Sequence, residues 1–282
     1  MKPELTSWLN NSIFSKLSLG INFLLSKIGL KIIKIVTFNA LVEKYKKLLK
    51  EASPSLIAWE ARSEILDLTV LEESNSQFNQ EFFVLSILNF KTRGYFVEFG
   101  ACNGKDFSNT FILENKYNWN GICAEPNRSY HSNLIKNRKC ELDFRCVFSR
   151  SGEMIEFCET KISELSTIAN FKKSDFNRID RNPIKSYLVE TVTLIDLLNE
   201  HNAPSLIDYI SIDTEGSEFE ILKNFDFDKY TVKVWTIEHN YTSNRKKIFE
   251  LMVNNGYVRV LSSVSEVDDW YIHKSLIQPL KN

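Results

Sequence analysis

From residue 80 onward, short apolar runs alternate with stretches of helical period. Residues 80–89 (QEFFVLSILN) predict a helix and residues 95–99 (YFVEF) a buried strand. A turn, Gly100-Ala-Cys-Asn-Gly104, leads to a helical run over 107–115, with the cap formers Ser108 and Asn109 near its start. Residues 121–124 read as a second strand, ending at Glu125, and 130–136 as the next crossover helix. A third strand is expected over 143–148, with 154–158 pairing back on it as a hairpin after the Ser151-Gly152 turn. Strand 187–193 and helix 194–201 precede the fourth core strand, 206–213 (LIDYISID). Thr214-Glu-Gly216 turns this strand into a helix over 217–224, where Ser217 and Glu220 spell a capping box. A fifth strand, 232–237, ends in Glu238-His239-Asn240; helix 245–254 closes on Asn255-Gly256; strands 257–261 and 270–273 form a final hairpin.

Strand, glycine turn, helix, strand and terminal acid make the opening half of a doubly wound α/β fold. The turn narrows the ligand. A triphosphate loop needs G-x-x-x-x-G-K-[ST], but only three residues separate Gly100 from Gly104, and Asp106 follows Lys105. A dinucleotide fingerprint needs a middle glycine where this chain has Cys102. Glu98, Asp106 and Glu125 crowd the turn with negative charge, which suits a ligand carrying an amine and a sulfonium rather than phosphates. S-adenosylmethionine is such a ligand. Glu125 stands where an acid accepts hydrogen bonds from ribose hydroxyls.

Composition changes this picture little. A net charge of −1 gives no electrostatic case for nucleic acid as a partner. Five scattered cysteines form no metal-binding pair and no disulfide framework, so a reducing cytoplasm is the expected compartment. Residues 1–75 stand apart as a helical region, with 76–282 as the main domain. Lys16, Lys27, Lys31 and Lys34 share one face of an apolar helical pattern over 17–49. Peripheral contact with an anionic membrane surface and packing or homodimer formation both fit that pattern. Residues 159–186 turn polar for longer than a plain connection needs, as a lid or substrate loop would.

Several motifs carry a specific resemblance: FVEFGACNG (96–104), SNT (108–110), LE (113–114), GICAEPN (121–127), Leu165-Ser-Thr167, YISIDTEGSEFEIL (209–222) and IEHN (237–240). With them, residues 78–275 resemble the FkbM-type family of S-adenosylmethionine-dependent methyltransferases. The resemblance implies a class I, Rossmann-like methyltransferase fold: a seven-stranded sheet with a closing antiparallel hairpin. It also implies O-methylation, since the family's best-known members methylate hydroxyls of sugars and polyketide products. A small hydroxylated molecule or glycan is therefore the expected substrate.

On this reading Glu98, Gly100, Asn103 and Gly104 hold the methionine and ribose side of the cofactor. Ser108 and Asn109 stand at the next helix start, Glu125 and Asn127 shape the ribose pocket, and Phe148 and Ser149 lie near the adenine. Asp213 and Glu238-His239 end adjacent strands at the crevice edge. Asp213 or His239 is the expected base for the acceptor hydroxyl, with Asp213 also a candidate for the cofactor's amino group. A divalent ion, Mg²⁺ or Mn²⁺, held by Asp213 with Glu215 or Glu238, is the alternative way to acidify the hydroxyl. Two other classes stay open: an NAD-type oxidoreductase and a non-catalytic, membrane-associated cofactor-binding module.

Overall fold

The computed structural model describes residues 73–171, 179–262 and 265–277. The expectations for residues 1–72 lie outside the described residues, as does part of the polar stretch 159–186. No helix among the described residues is long and apolar enough to cross a membrane.

Seven strands form the main sheet, in the order Tyr257–Val260 (β10), Asp268–His273 (β11), Thr231–Glu238 (β9), Leu206–Ile212 (β8), Tyr95–Phe99 (β1), Asn120–Ala124 (β2) and Glu141–Asp143 (β3). Five of them run parallel: β1, β2, β3, β8 and β9. β11 lies antiparallel to β9 and to β10, which is the closing hairpin expected from the sequence. The order reverses between β1 and β8, and ligands of open α/β sheets bind at the carboxyl ends of the strands beside that point.

Both faces of the sheet are covered, so its strands are apolar on both sides. On one face Phe96, Cys123, Tyr209 and Val234 pack with α1 (Gln80–Ile87), α2 (Phe111–Asn115) and α3 (His131–Asn137). On the other, Val97, Phe99, Ile122, Ile210 and Trp235 pack with α4 (Leu194–Glu200), α5 (Glu218–Leu222) and α6 (Asn244–Asn254).

Three sequence expectations are corrected. The strand expected over 143–148 is two strands in two sheets: β3 ends at Asp143, and β4 (Cys146–Val147) pairs parallel with β7 (Pro183–Val192). The chain breaks between them because Asp143 Oδ1 accepts hydrogen bonds from the backbone N–H and the Nε of Arg145, at 2.9 and 3.0 Å. Residues 154–158 do not form a hairpin with that strand. β5 (Met154–Thr160) pairs antiparallel with β7 and with β6 (Thr167–Ile168), giving a second sheet in the order β4-β7-β5-β6. The third correction is the helix expected from 107, which begins only at Phe111, because Phe107 is left-handed (φ 63°) and bridges to Ser76.

Candidate functional site

The loop after β1 is shaped by close backbone approach. Gly100 has φ 79°, and a Cβ there would lie 1.7 Å from the Asp213 carbonyl oxygen, so only glycine fits. Gly104 has φ 78°, and a Cβ would meet Leu134 and Arg138 at 2.6 and 2.7 Å. Asn103 turns inward on its own loop: its Oδ1 accepts from Lys105 N and Asp106 N, both at 2.9 Å, and its Nδ2 donates to Asp106. Asn103 therefore shapes the turn through its side chain.

Glu125 ends β2 beside this loop and is buried. Its Oε2 accepts from Cys102 N at 2.8 Å and its Oε1 from Asn127 N at 2.7 Å. Burial pushes its carboxyl up to about 7, against the pull of those two N–H donors. Asn127 is also buried. Its Nδ2 donates to Ser166 Oγ at 3.2 Å, and its Oδ1 accepts from the Ser129 hydroxyl at 2.7 Å. Thr167, next to Ser166, donates its hydroxyl to the Glu215 carbonyl at 3.0 Å. The segment Leu165-Ser-Thr167 thus ties the end of β2 to the loop after β8. Phe148 meets Phe171 edge to face at 6.2 Å, and the Ser149 carbonyl accepts from Asn224 at 3.1 Å.

Glu98, Ser108 and Asn109 are brought together in one buried, hydrogen-bonded cluster. Glu98 shares the sheet face of Phe96, and its buried carboxylate accepts from the Ser108 and Thr110 hydroxyls (2.9 and 2.6 Å) and from Asn109 N (2.6 Å). Arg138 completes the set with Nη1 at 3.1 Å from Glu98 and Nε on Glu114. Ser108 and Asn109 are not helix caps; the Asn109 amide donates to Ser211 Oγ at 2.9 Å. These residues brace the loop from behind. Arg138 gives no signal in the sequence, because its partners Glu98 and Glu114 lie 40 and 24 residues away along the chain.

The ends of β8 and β9 gather acids. Oxygens of half-buried Asp213 and buried Glu215 and Glu238 all lie within 4.8 Å of one another. Burial and mutual repulsion hold the Asp213 and Glu238 carboxyls well above the usual range. Glu215 is left-handed (φ 57°), and its carboxylate is held by the buried Arg181 guanidinium and by Asn240 Nδ2 at 3.2 Å. Arg181 comes from the polar stretch 159–186, where a single arginine gives no signal in the sequence; its Nε also donates to the Leu165 carbonyl at 3.0 Å. The expected Ser217–Glu220 capping box does not form. Glu218 Oε1 instead accepts from Gly216 N (2.8 Å) and from the Thr214 N–H and hydroxyl (3.2 and 3.0 Å), closing the turn.

His239 departs from the expectation that it faces Asp213. Its Nδ1 accepts from Tyr241 N at 3.0 Å, and its Nε2 lies 3.7 Å from Asp269 Oδ1 on β11. Burial lowers its pKa from 6.5 to about 4, so the ring is neutral at physiological pH and a weak base. The neighbouring β11 explains this: it places Asp269 opposite Ile237, one step from the end of β9.

The donor set fits S-adenosylmethionine. A carboxylate ending β2 beside a glycine turn suits ribose hydroxyls, and an under-compensated acid cluster suits a cationic ligand. For Mg²⁺ or Mn²⁺ the oxygens are close enough, but Glu215 is already engaged by Arg181.

Solved structures resembling the chain include a precorrin-6y C5,15-methyltransferase from Geobacter metallireducens, at 11% identity and TM-score 0.38, covering 71% of this chain and 92% of that one. A methyltransferase from Pyrococcus furiosus matches at 9% identity and TM-score 0.34, covering 76% and 97%. The human methyltransferase 10 domain containing protein matches at 12% identity and TM-score 0.35, covering 78% and 94%. Likeness this remote carries no functional weight. No curated protein matches the chain. The model of the methyltransferase FkbM domain matches residues 98–270, from the end of β1 into the closing hairpin and across both the glycine turn and the acid cluster. That span is more than half of the sequence, and with the seven-stranded topology it establishes that the chain belongs to the FkbM methyltransferase family.

Proposed function

We propose that the protein methylates a hydroxyl group on a small hydroxylated substrate, a sugar or glycan being the class implied by its family. The observation that carries this reading is the acid cluster: three carboxylates within 4.8 Å at the ends of two adjacent strands, with Arg181 neutralising Glu215. Among the described residues, Asp213 and Glu238 have no matching cation.

In this reading Glu125 and Asn127 hold the ribose of the cofactor, the backbone from Gly100 to Cys102 lies against its amino-acid portion, and Asp213 takes its amino group. When bound, S-adenosylmethionine supplies a methyl group on a positively charged sulfur. A hydroxyl is a poor nucleophile until its proton is removed; the positive charges of a bound cofactor would draw Glu238, beside Asp213, to its ionised form, in which it can accept that proton. Arg181 holds the Leu165 segment against the cluster and so limits the entry of water. His239 orients the loop after β9 through Tyr241 rather than moving the proton. Calorimetry with S-adenosylhomocysteine and a methyl-transfer assay on Glu238→Gln test the reading. Retained binding with at least about hundredfold slower turnover supports it, while near-normal turnover sinks it. A divalent ion at the cluster is a second reading, favoured by the spacing of the oxygens; dialysis against a chelator that leaves turnover intact would remove it.

A further inference from the structure

The loop leaving β9 after the acid cluster runs directly into a groove of opposite charge. The groove measures about 470 Å³ and is lined by Thr242, Ser243, Arg245, Lys246, Phe249 and Arg259. Three of the six are cations, drawn from two different elements, α6 and β10. Asp269, almost fully buried, fixes two of them: it accepts from Arg245 Nε and Nη2 at 3.0 and 2.7 Å and from Arg259 Nη1 at 3.2 Å. One carboxylate between two guanidinium groups leaves positive charge in excess. It also leaves Nη1 of Arg245 and both Nε and Nη2 of Arg259 off that carboxylate. The Arg259 guanidinium lies 4.4 Å from the Phe249 ring centroid, which holds its plane. Lys246 is exposed, with its ammonium 3.7 Å from a Glu250 oxygen. The eleven-residue α6 begins here with no side-chain cap, so its dipole adds to the same sign.

Fixed guanidinium forks, a mobile ammonium and two hydroxyls at one helix start suit a phosphoryl group, with its three acceptor oxygens and charge near −2. They do not suit an uncharged sugar. We infer that this groove seats a phosphate on the acceptor, so that the substrate class is a phosphorylated sugar or other phosphorylated small alcohol. The inference rests on the methyl-transfer reading and deepens it. The phosphate anchors over Arg245 and Arg259 while the hydroxyl to be methylated reaches the acid cluster, as binding energy at a remote group is used to position a reacting one. Asp269 belongs to both halves, lying 3.7 Å from His239 and holding the two arginines.

The test is calorimetric titration of the full chain with inorganic phosphate at fixed ionic strength. Saturable binding is expected, weakened at least about tenfold by Arg259→Gln and about threefold by Lys246→Gln, the scale for losing hydrogen bonds and charge on an anion. No saturable binding, or equal affinity in both variants, overturns it. Lys246 is exposed, so its variant keeps the fold and carries the test if Arg259→Gln does not fold. S-adenosylhomocysteine titrated into the same protein separates the two claims. Cofactor binding without phosphate binding defeats the groove alone; phosphate binding without cofactor binding defeats the methyl-transfer reading and the acceptor role, and leaves an anion site.

Discussion

Two clusters of acids serve the same sheet, and they have been treated in opposite ways. Behind the glycine turn, Glu98 and Glu114 share the Arg138 guanidinium, and Glu98 further accepts two hydroxyls and a backbone N–H. At the ends of β8 and β9, Arg181 pairs with Glu215, and among the described residues no cation pairs with Asp213 or Glu238. The first set is well supplied with donors from the protein itself. The second is short of donors, and its remaining acids are driven toward their protonated forms. Charge type is the same in both; what separates scaffold from site is whether the protein itself completes the hydrogen bonding.

The contrast is sharpest in Arg138→Met. Removing the cation of this well-supplied cluster should destabilise the fold by about 3–5 kcal/mol, measured by urea unfolding, because two carboxylates lose their buried partner. A loss below about 1 kcal/mol would mean that the cluster relaxes freely, and the contrast would fail.

Asp213→Asn should do the reverse. Turnover should fall at least about hundredfold, or about 2.7 kcal/mol of barrier, while unfolding at neutral pH shows equal or greater stability. A variant that both unfolds easily and binds cofactor normally would place Asp213 with the scaffold.

Glu125 lies between the extremes, with two backbone donors and a carboxyl near 7. Glu125→Ala should weaken S-adenosylhomocysteine binding by about 1–3 kcal/mol in calorimetry, and unchanged affinity would remove it from the ribose role. The folded protein holds the Glu125 proton where the unfolded chain has released it. This group therefore costs stability progressively as pH rises from 4.5 to about 7.

His239 gives the smallest effect, and of opposite sign. Its folded pKa of about 4 lies below 6.5, so the unfolded chain takes up the proton first and the wild type loses stability as pH falls through that window. Compared with His239→Gln, that loss should reach about 1 kcal/mol near pH 5.5 in paired unfolding curves. Parallel curves would mean that the ring is not buried in its neutral form.

Much of the main sheet was legible because its signals are local. Each core strand is a short apolar run bounded by a turn, and the glycine turn, Glu125 and Asp213 announce themselves by position. What the sequence hid depends on distant partners. The break at residues 144–145 arises from an Asp143–Arg145 contact that no periodicity records, and it sends the next strand into a second sheet. Ser108 and Asn109 look like caps because caps use those residue types, yet their donors go to Glu98 and Ser211. His239 looks like a base because it follows Glu238, but β11, reached only after α6 and β10, supplies the acid that it faces. Arg181 was invisible for the same reason.

Gly100 has a mechanical consequence. The backbone of the turn after β1 touches the carbonyl of Asp213 with no room for a methyl group between them. The two jaws of the crevice are therefore gauged against each other by main-chain atoms, which no change of rotamer can adjust. A caliper set in this way keeps one opening whatever side chains are exchanged along its rim. New acceptor preferences in this scaffold should be sought by altering the rim residues, since the gap itself is fixed by an absent atom.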